Sequence, residues 1–279
     1  MAATDVVVWL QQECRMLLVM VPGVLAAMLG VMLSAWAFGM ARRNGGWTDV
    51  FWTWGTGAVL AAAALFPVGD AAHEPRQWLV AAFMLIWGVR LGLYLTPRVA
   101  GHPEDIRYAA FRDGDPRTYP FRMLFVTLPQ APATALLAIS VVLAAHRPEA
   151  ALDLRDALGV AIFLIAIVGE TVSDNQMKGF RASPANKGQV MDRGLWAWSR
   201  HPNYFFQWLG WMAYPAMALV PTQPVTWLSL TAPIVMYGLL RYVSGVPLLE
   251  QTMLKSRGDL FRAYQQRVSV FFPFPPRAR

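Results

Sequence analysis

The sequence is poor in the residues that build disulfide frameworks, thiolate metal sites and solvated surfaces. Cys14 is its one cysteine, so no disulfide closes within the chain and no cysteine-based zinc or iron–sulfur site assembles there. The expected role for that thiol is a small buried hydrophobe. Charged residues make up 15% of the 279, well below the roughly 25% of an ordinary soluble domain. Also missing are a GxGxxG fingerprint, so a Rossmann site finds no support, and internal repeats or low-complexity tracts. The alternating ten-residue segments of a membrane barrel are absent too.

What is present is apolar length. Hydrophobic residues are 56% of the chain, gathered into runs that match the roughly 20 residues needed to cross a bilayer as a helix. The runs predict an all-α polytopic membrane protein with seven spans, at about 16–41, 50–69, 77–97, 122–145, 157–177, 202–220 and 225–249. Residues 16–41 carry no charge, are too long for a signal-peptide core and lack a basic start with a small-residue cleavage site. They are expected to stay in the mature protein, which reads as a single integral membrane domain over 1–279.

The basic residues are arranged by side. Eighteen Lys and Arg lie in segments 42–43, 98–122, 178–200 and 255–279, against four at Arg15, Arg76, Arg147 and Arg155. The positive-inside rule then puts the C-terminus and the long loops in the cytoplasm and the N-terminus outside. This placement, rather than a nucleic-acid partner, accounts for the net charge of +7. The long loops 98–121 and 178–201 share the tail's side, and their guanidinium groups suit a polyanionic ligand as well as they suit topology.

Ionisable residues inside spans are costly and mark function or pairing. Asp49, Arg90, Glu170 and Arg241 fall in this class, with Glu170 able to bridge to Arg90 or Arg241. Glu170, Asp174, Lys178 and Arg181 fall on one helical stripe that should face the interior. Trp47, Trp52, Trp54, Trp78, Trp196, Trp198, Trp208, Trp211 and Trp227 lie near span ends and read first as an interfacial belt. The fourteen Met read as adaptable packing.

The densest polar segment runs from Asp174 to Tyr204 and re-enters the apolar region at Arg200-His201-Pro202-Asn203-Tyr204. Pro202 suits the first turn of a helix, leaving His201 and Asn203 beside free backbone donors that would welcome an anion. His201 by itself is more often a packed or capping residue than a catalyst.

This RHPNY segment resembles that of the membrane-bound steroid 5α-reductases and sterol reductases, and also that of the isoprenylcysteine carboxyl methyltransferases. Asp174-x-Gln176-x-x-x-Phe180-Arg181-x-x-Pro184 is similar to the element preceding it in the sterol reductases, which usually have Asn at the place of Asp174 and Lys directly after the Gln. Glu104-Asp105-x-Arg107-Tyr108, and Gly245 to Glu250 followed by Tyr264 and Phe272-Pro273, resemble a bacterial branch of the reductase-like proteins. The likeness spans about residue 90 to the end.

The resemblance implies NADPH held by the C-terminal part, 157–279, on the cytoplasmic face of a bacterial inner membrane. By position it implicates Asp174, Lys178, Arg181, Arg193, Arg200, His201, Asn203, Tyr204, Glu250 and Tyr264. It implies reduction of a carbon–carbon double bond conjugated to a ketone in a steroid-, sterol- or prenyl-like lipid drawn from the membrane. Tyr94 and Asp49 are then the candidates for the groups that reach the ketone. An S-adenosylmethionine-dependent methyltransferase and a non-catalytic lipid-binding protein remain as alternatives. Basic residues discriminate, since several phosphates need Lys178, Arg181, Arg193 and Arg200 whereas S-adenosylmethionine carries none. No metal site is expected.

Overall fold

A computed structural model describes residues 3–67, 74–112, 117–149 and 151–277. Among these residues the structure is helical, with no strand and a single isolated bridge between Ser199 and Ser269. The helices are α1 Ala3–Arg42, α2 Trp47–Ala64, α3 Pro75–Ala100, α4 Tyr119–Thr127, α5 Gln130–Ala145 and α6 Leu154–Ala182. They are followed by α7 Pro202–Trp211, α8 Ala213–Ala218, α9 Thr231–Gly238, α10 Val246–Arg257 and α11 Asp259–Arg267.

Among the described residues five helical stretches are long and apolar enough to cross a membrane: Cys14–Arg42, Pro75–Ala100, Tyr119–Ala145, Leu154–Ala182 and Pro224–Arg257. The chain is thus built as a multi-pass membrane protein. The two segments expected at 50–69 and 202–220 fall outside this set. Their helices are shorter, α2 having 18 residues and α7 ten, and residues 68–69 lie outside the described part.

Prolines set three of the breaks. Pro132, Pro215 and Pro247 each follow a break by four residues, at Leu128, Trp211 and Val243. A proline offers no N–H to the carbonyl four residues back and its ring crowds that carbonyl, so the helix stops there. The expected single span at 225–249 therefore becomes a 3-10 segment Pro224–Leu230, helix α9, a π-turn Leu239–Val243 and helix α10. Pro22 and Pro97 are accommodated inside continuous helices.

The chain forms two compact units, Met1–Asp156 with Tyr214–Ala232, and Ala157–Ala213 with Pro233–Arg279. In the first, α1 buries a stripe of Met16, Met20, Val24, Met28, Met32 and Ala35 while Leu18 and Val19 stay exposed. Spacings of three and four residues make one narrow face, and the outward apolar face is what a lipid solvent permits. Cys14 lies on the exposed side of that stripe, so it is not the buried thiol expected. Between α2 and α3, Gly57 and Gly88 face one another so closely that a Cβ on either would sit 3.0 Å from the other's Cα. Thr48 and Thr127 share a hydroxyl hydrogen bond at 3.2 Å, and Trp52 Nε1 donates to Thr134 Oγ1 at 2.9 Å. Small residues and threonine hydroxyls at helix contacts are the usual means of association when apolar burial gives no driving force.

One end of this unit is locked by ions. Arg76, 1% exposed at the start of α3, pairs with Asp156 at 2.9 Å and donates to the carbonyls of Arg147 and Ala151. Arg147 reaches Asp156, Asp153 and Glu149, and Arg155 reaches Glu149 and Asp153. The tryptophans expected near span ends differ in exposure. Trp54, Trp78, Trp198 and Trp227 are exposed, whereas Trp196 and Trp211 are buried packing residues.

Candidate functional site

In the second unit, residues far apart in sequence meet at the Glu250 carboxylate. Pro202 begins α7, which leaves Arg200 and His201 on the extended approach to it. Arg200 donates from Nε to Glu250 Oε1 at 2.7 Å and from Nη2 to Oε2 at 3.2 Å. His201 Nε2 lies 3.1 Å from Oε1, and Gln265 Nε2 donates to Oε2 at 2.7 Å. The other Arg200 terminus donates to the carbonyls of Gln265 and Val268, and its backbone N–H to that of Ser269. Tyr264 donates its hydroxyl to the Trp196 carbonyl. Three of the expected residues, Arg200, His201 and Glu250, are thus in one network, with Tyr264 fastening the preceding segment, and Arg200 spends its donors inside the protein.

An ionised carboxylate only accepts, so His201 presents Nε2–H to Glu250 and keeps Nδ1 as an acceptor. Burial pushes the His201 imidazole below its ordinary pKa; Glu250 works against this, and Arg200 and Arg241 add to it. Tyr204 stacks on the imidazole at 5.6 Å between centroids with planes 10° apart. Asn203 is half-buried beside it.

The basic loop is anchored to both neighbours. Gln176 on α6 accepts the Leu195 amide at 3.0 Å, Ser173 accepts the Trp196 indole N–H at 3.1 Å, and Asn186 donates to the Phe180 carbonyl at 2.9 Å. Gly194 has φ +58°, and a Cβ there would strike the Gln176 side chain, so only glycine fits. Arg257 donates to the Gln189 carbonyl, and Arg267 pairs with Asp192 at 3.3 Å. On the predicted stripe Glu170 and Asp174 are buried, 4% and 5% exposed, while Lys178 and Arg181 point outward because α6 runs on to Ala182. Among the described residues no carboxylate pairs with Lys178 or Arg193, both exposed.

The first unit carries a second polar cluster, around Glu104. Its carboxylate accepts from the Gly45 amide at 2.5 Å, Arg112 Nε at 2.5 Å and the Tyr119 hydroxyl at 2.7 Å. Arg112 also lies over the Tyr119 ring at 4.0 Å. Burial alone would raise the Glu104 pKa; Arg112, the Gly45 amide and Tyr119 outweigh it and hold the carboxyl below its usual range. Next to this, buried Tyr108 donates to Asp49 Oδ1 at 2.6 Å. Tyr94 is half-buried between two guanidinium groups, Arg90 at 5.7 Å and Arg98 at 5.1 Å from its ring.

In the sequence Glu104 and Tyr108 belong to one motif, and neither carries a role there. The usable signal was a carboxylate and a tyrosine four residues apart in a basic loop, with a glycine pair just before α2. Among the described residues no cluster of His, Cys, Asp and Glu is arranged to hold a metal ion.

No solved structure matches the chain. Uncharacterized protein C594.04c of Schizosaccharomyces pombe is 24% identical over 278 residues, which cover 90% of this chain and 80% of that protein. The model of the DUF1295 family, described as a protein of unknown function, matches residues 35–268, and the chain belongs to that family.

Proposed function

We propose that the protein is a membrane reductase that uses NADPH to saturate a carbon–carbon double bond conjugated to a ketone in a lipid-like substrate. In this reading the chain crosses the membrane seven times, with the second unit presenting its basic loop to the cytoplasm. The supporting observation is the convergence on Glu250 of Arg200, His201 and Gln265, together with Lys178 at the exposed end of α6 and Arg193 in the following loop, which have no carboxylate partners among the described residues. The bound cofactor would supply a hydride to the β-carbon of the enone.

The fit to a phosphorylated cofactor rests on which cations are available. Arg200 is taken up by Glu250 and backbone carbonyls, so its work is to hold the RHPNY segment against α10 and α11. Lys178 and Arg193 are the groups that would meet phosphates, with Arg181 on the same exposed end of α6. Asn203 and Tyr204 flank the imidazole where the α7 N–H groups begin. Tyr94 and Asp49 remain the candidates for donating to the ketone oxygen, and Asp49 would do so with Tyr108 attached.

Thermal-shift titration of the full chain in detergent with NADPH, NADH and S-adenosylmethionine tests this. NADPH should stabilise the wild type, and the double variant Lys178→Ala, Arg193→Ala should weaken that response without lowering the unliganded midpoint. Stabilisation by S-adenosylmethionine alone would overturn the reductase reading in favour of a methyltransferase.

A further inference from the structure

Among the described residues, Arg241 is a sheltered cation with no carboxylate against it. It sits half-buried on the π-turn Leu239–Val243, inside the apolar stretch Pro224–Arg257. Arg76, Arg147 and Arg200 each hold a carboxylate. Among the described residues no carboxylate or carbonyl takes a hydrogen bond from Arg241; its side-chain contact is the Tyr242 ring at 4.9 Å. Glu250, nine residues on, is bound by Arg200, His201 and Gln265. A guanidinium carries five donors and stays charged, so an unpaired one in an apolar segment calls for a counter-charge.

The turn that holds it is built into the sequence. Pro247 denies an N–H to the Val243 carbonyl, and Gly245 approaches the Leu240 carbonyl too closely for any Cβ. π-turns are rare and concentrate at functional sites. Around Arg241 the charges do not cancel: Glu250 matches Arg200, His201 is buried, and Arg241 adds to the positive field at that imidazole. The same turn presents Tyr242 and Val243 outward, 62% and 61% exposed. Tyr237 meets Tyr242 edge-on at 5.8 Å and packs on Phe271 at 5.2 Å, giving an aromatic wall beside the cation.

The geometry points to Arg241 as the binding site for one anionic head group, a carboxylate or phosphate, on an amphiphilic substrate whose chain lies along Tyr242 and Val243. This rests on the lipid-substrate reading above and narrows it from neutral lipids to anionic ones. A phosphate of the cofactor offers the same chemistry, but the apolar, outward-facing surroundings of the turn favour a molecule that comes from the lipid.

The experiment uses the full chain in phosphatidylcholine nanodiscs and equilibrium dialysis of radiolabelled oleyl phosphate and oleyl alcohol, corrected for empty nanodiscs, with NADPH binding measured in parallel. Wild type should bind the phosphate about tenfold more tightly than the alcohol, a change of one counter-charge contact. Arg241→Gln should bring the two within about twofold while leaving NADPH affinity unchanged, and Arg241→Lys should keep most of the preference. Equal binding of both lipids by wild type overturns the inference, even should Arg241→Gln fail to fold. So does an Arg241→Gln variant that keeps the preference, or one that loses NADPH affinity instead. A preference that depends on Arg241 in a protein that binds no NADPH upholds this site and removes the reductase reading.

Discussion

Arg200 and Glu250, fifty residues apart, form a two-pronged ion pair in which each side chain is only 11% and 13% exposed. The pair holds the RHPNY segment to α10, and Gln265 extends the hold to α11. Removing one partner strands the other charge and its hydrogen bonds. Glu250→Ala is expected to lower stability by about 3–5 kcal/mol, as for other sheltered pairs broken on one side. Arg200→Met combined with Glu250→Leu should cost less than either of these two substitutions made alone. Thermal unfolding of wild type, Arg200→Met, Glu250→Leu and the double variant in one detergent decides it, and additive effects in the double variant would show that the pair is not coupled.

The Glu104 network should fail in acid. Its carboxyl is held below the usual range, so the folded state binds fewer protons than the unfolded one. Stability is fully present above the unfolded value of about 4.3 and is lost as pH falls through the lower folded value. Glu104→Gln should be less stable at neutral pH and show a flatter decline below about pH 4.3. Unfolding midpoints measured from pH 7 down to 3 check the slope.

His201 adds a decline at milder pH. Its imidazole is held below its ordinary pKa chiefly by burial, so it favours the folded state above about pH 6.5 and withdraws that support as pH falls. His201→Gln should remove the part of the pH dependence that sets in just below 6.5 and leave the Glu104 part. A profile unchanged by the substitution would place the proton uptake at another group.

The α2–α3 contact admits no side chain. Ala at Gly57 would meet the Gly88 Cα at 3.0 Å and the Met84 carbonyl at 3.1 Å, both backbone atoms that cannot swing away. Gly57→Ala should destabilise by roughly 1–3 kcal/mol, the range for overpacking. Gly30→Ala, where a Cβ meets nothing within 4 Å, is the control and should be neutral or stabilising. Equal midpoints for the two variants would rule out close packing at Gly57.

The apolar helices were legible because hydrocarbon requires the chain to satisfy its backbone internally, and a long uncharged run has few other ways to do so. Residues 16–41, 77–97 and 157–177 lie within helices of the structure for that reason. Continuity was less legible, since hydropathy averages over prolines: Pro132, Pro215 and Pro247 leave the mean unchanged yet end helices. The destination of each charge was hidden as well. Arg200 looked like a phosphate ligand in the sequence, and the structure gives its donors to Glu250, Gln265 and Val268.

By itself, then, the sequence determined the solvent this chain is made for, the helical class, and the segments where polar chemistry gathers. These depend on composition and local periodicity. Tertiary structure alone decided which charges cancel and which do not: Glu104 with Arg112, Arg76 with Asp156, Arg200 with Glu250, and Arg241 with none among the described residues. Pairing depends on distances of about 3 Å between groups up to 80 residues apart, and spacing along the chain carries no record of them.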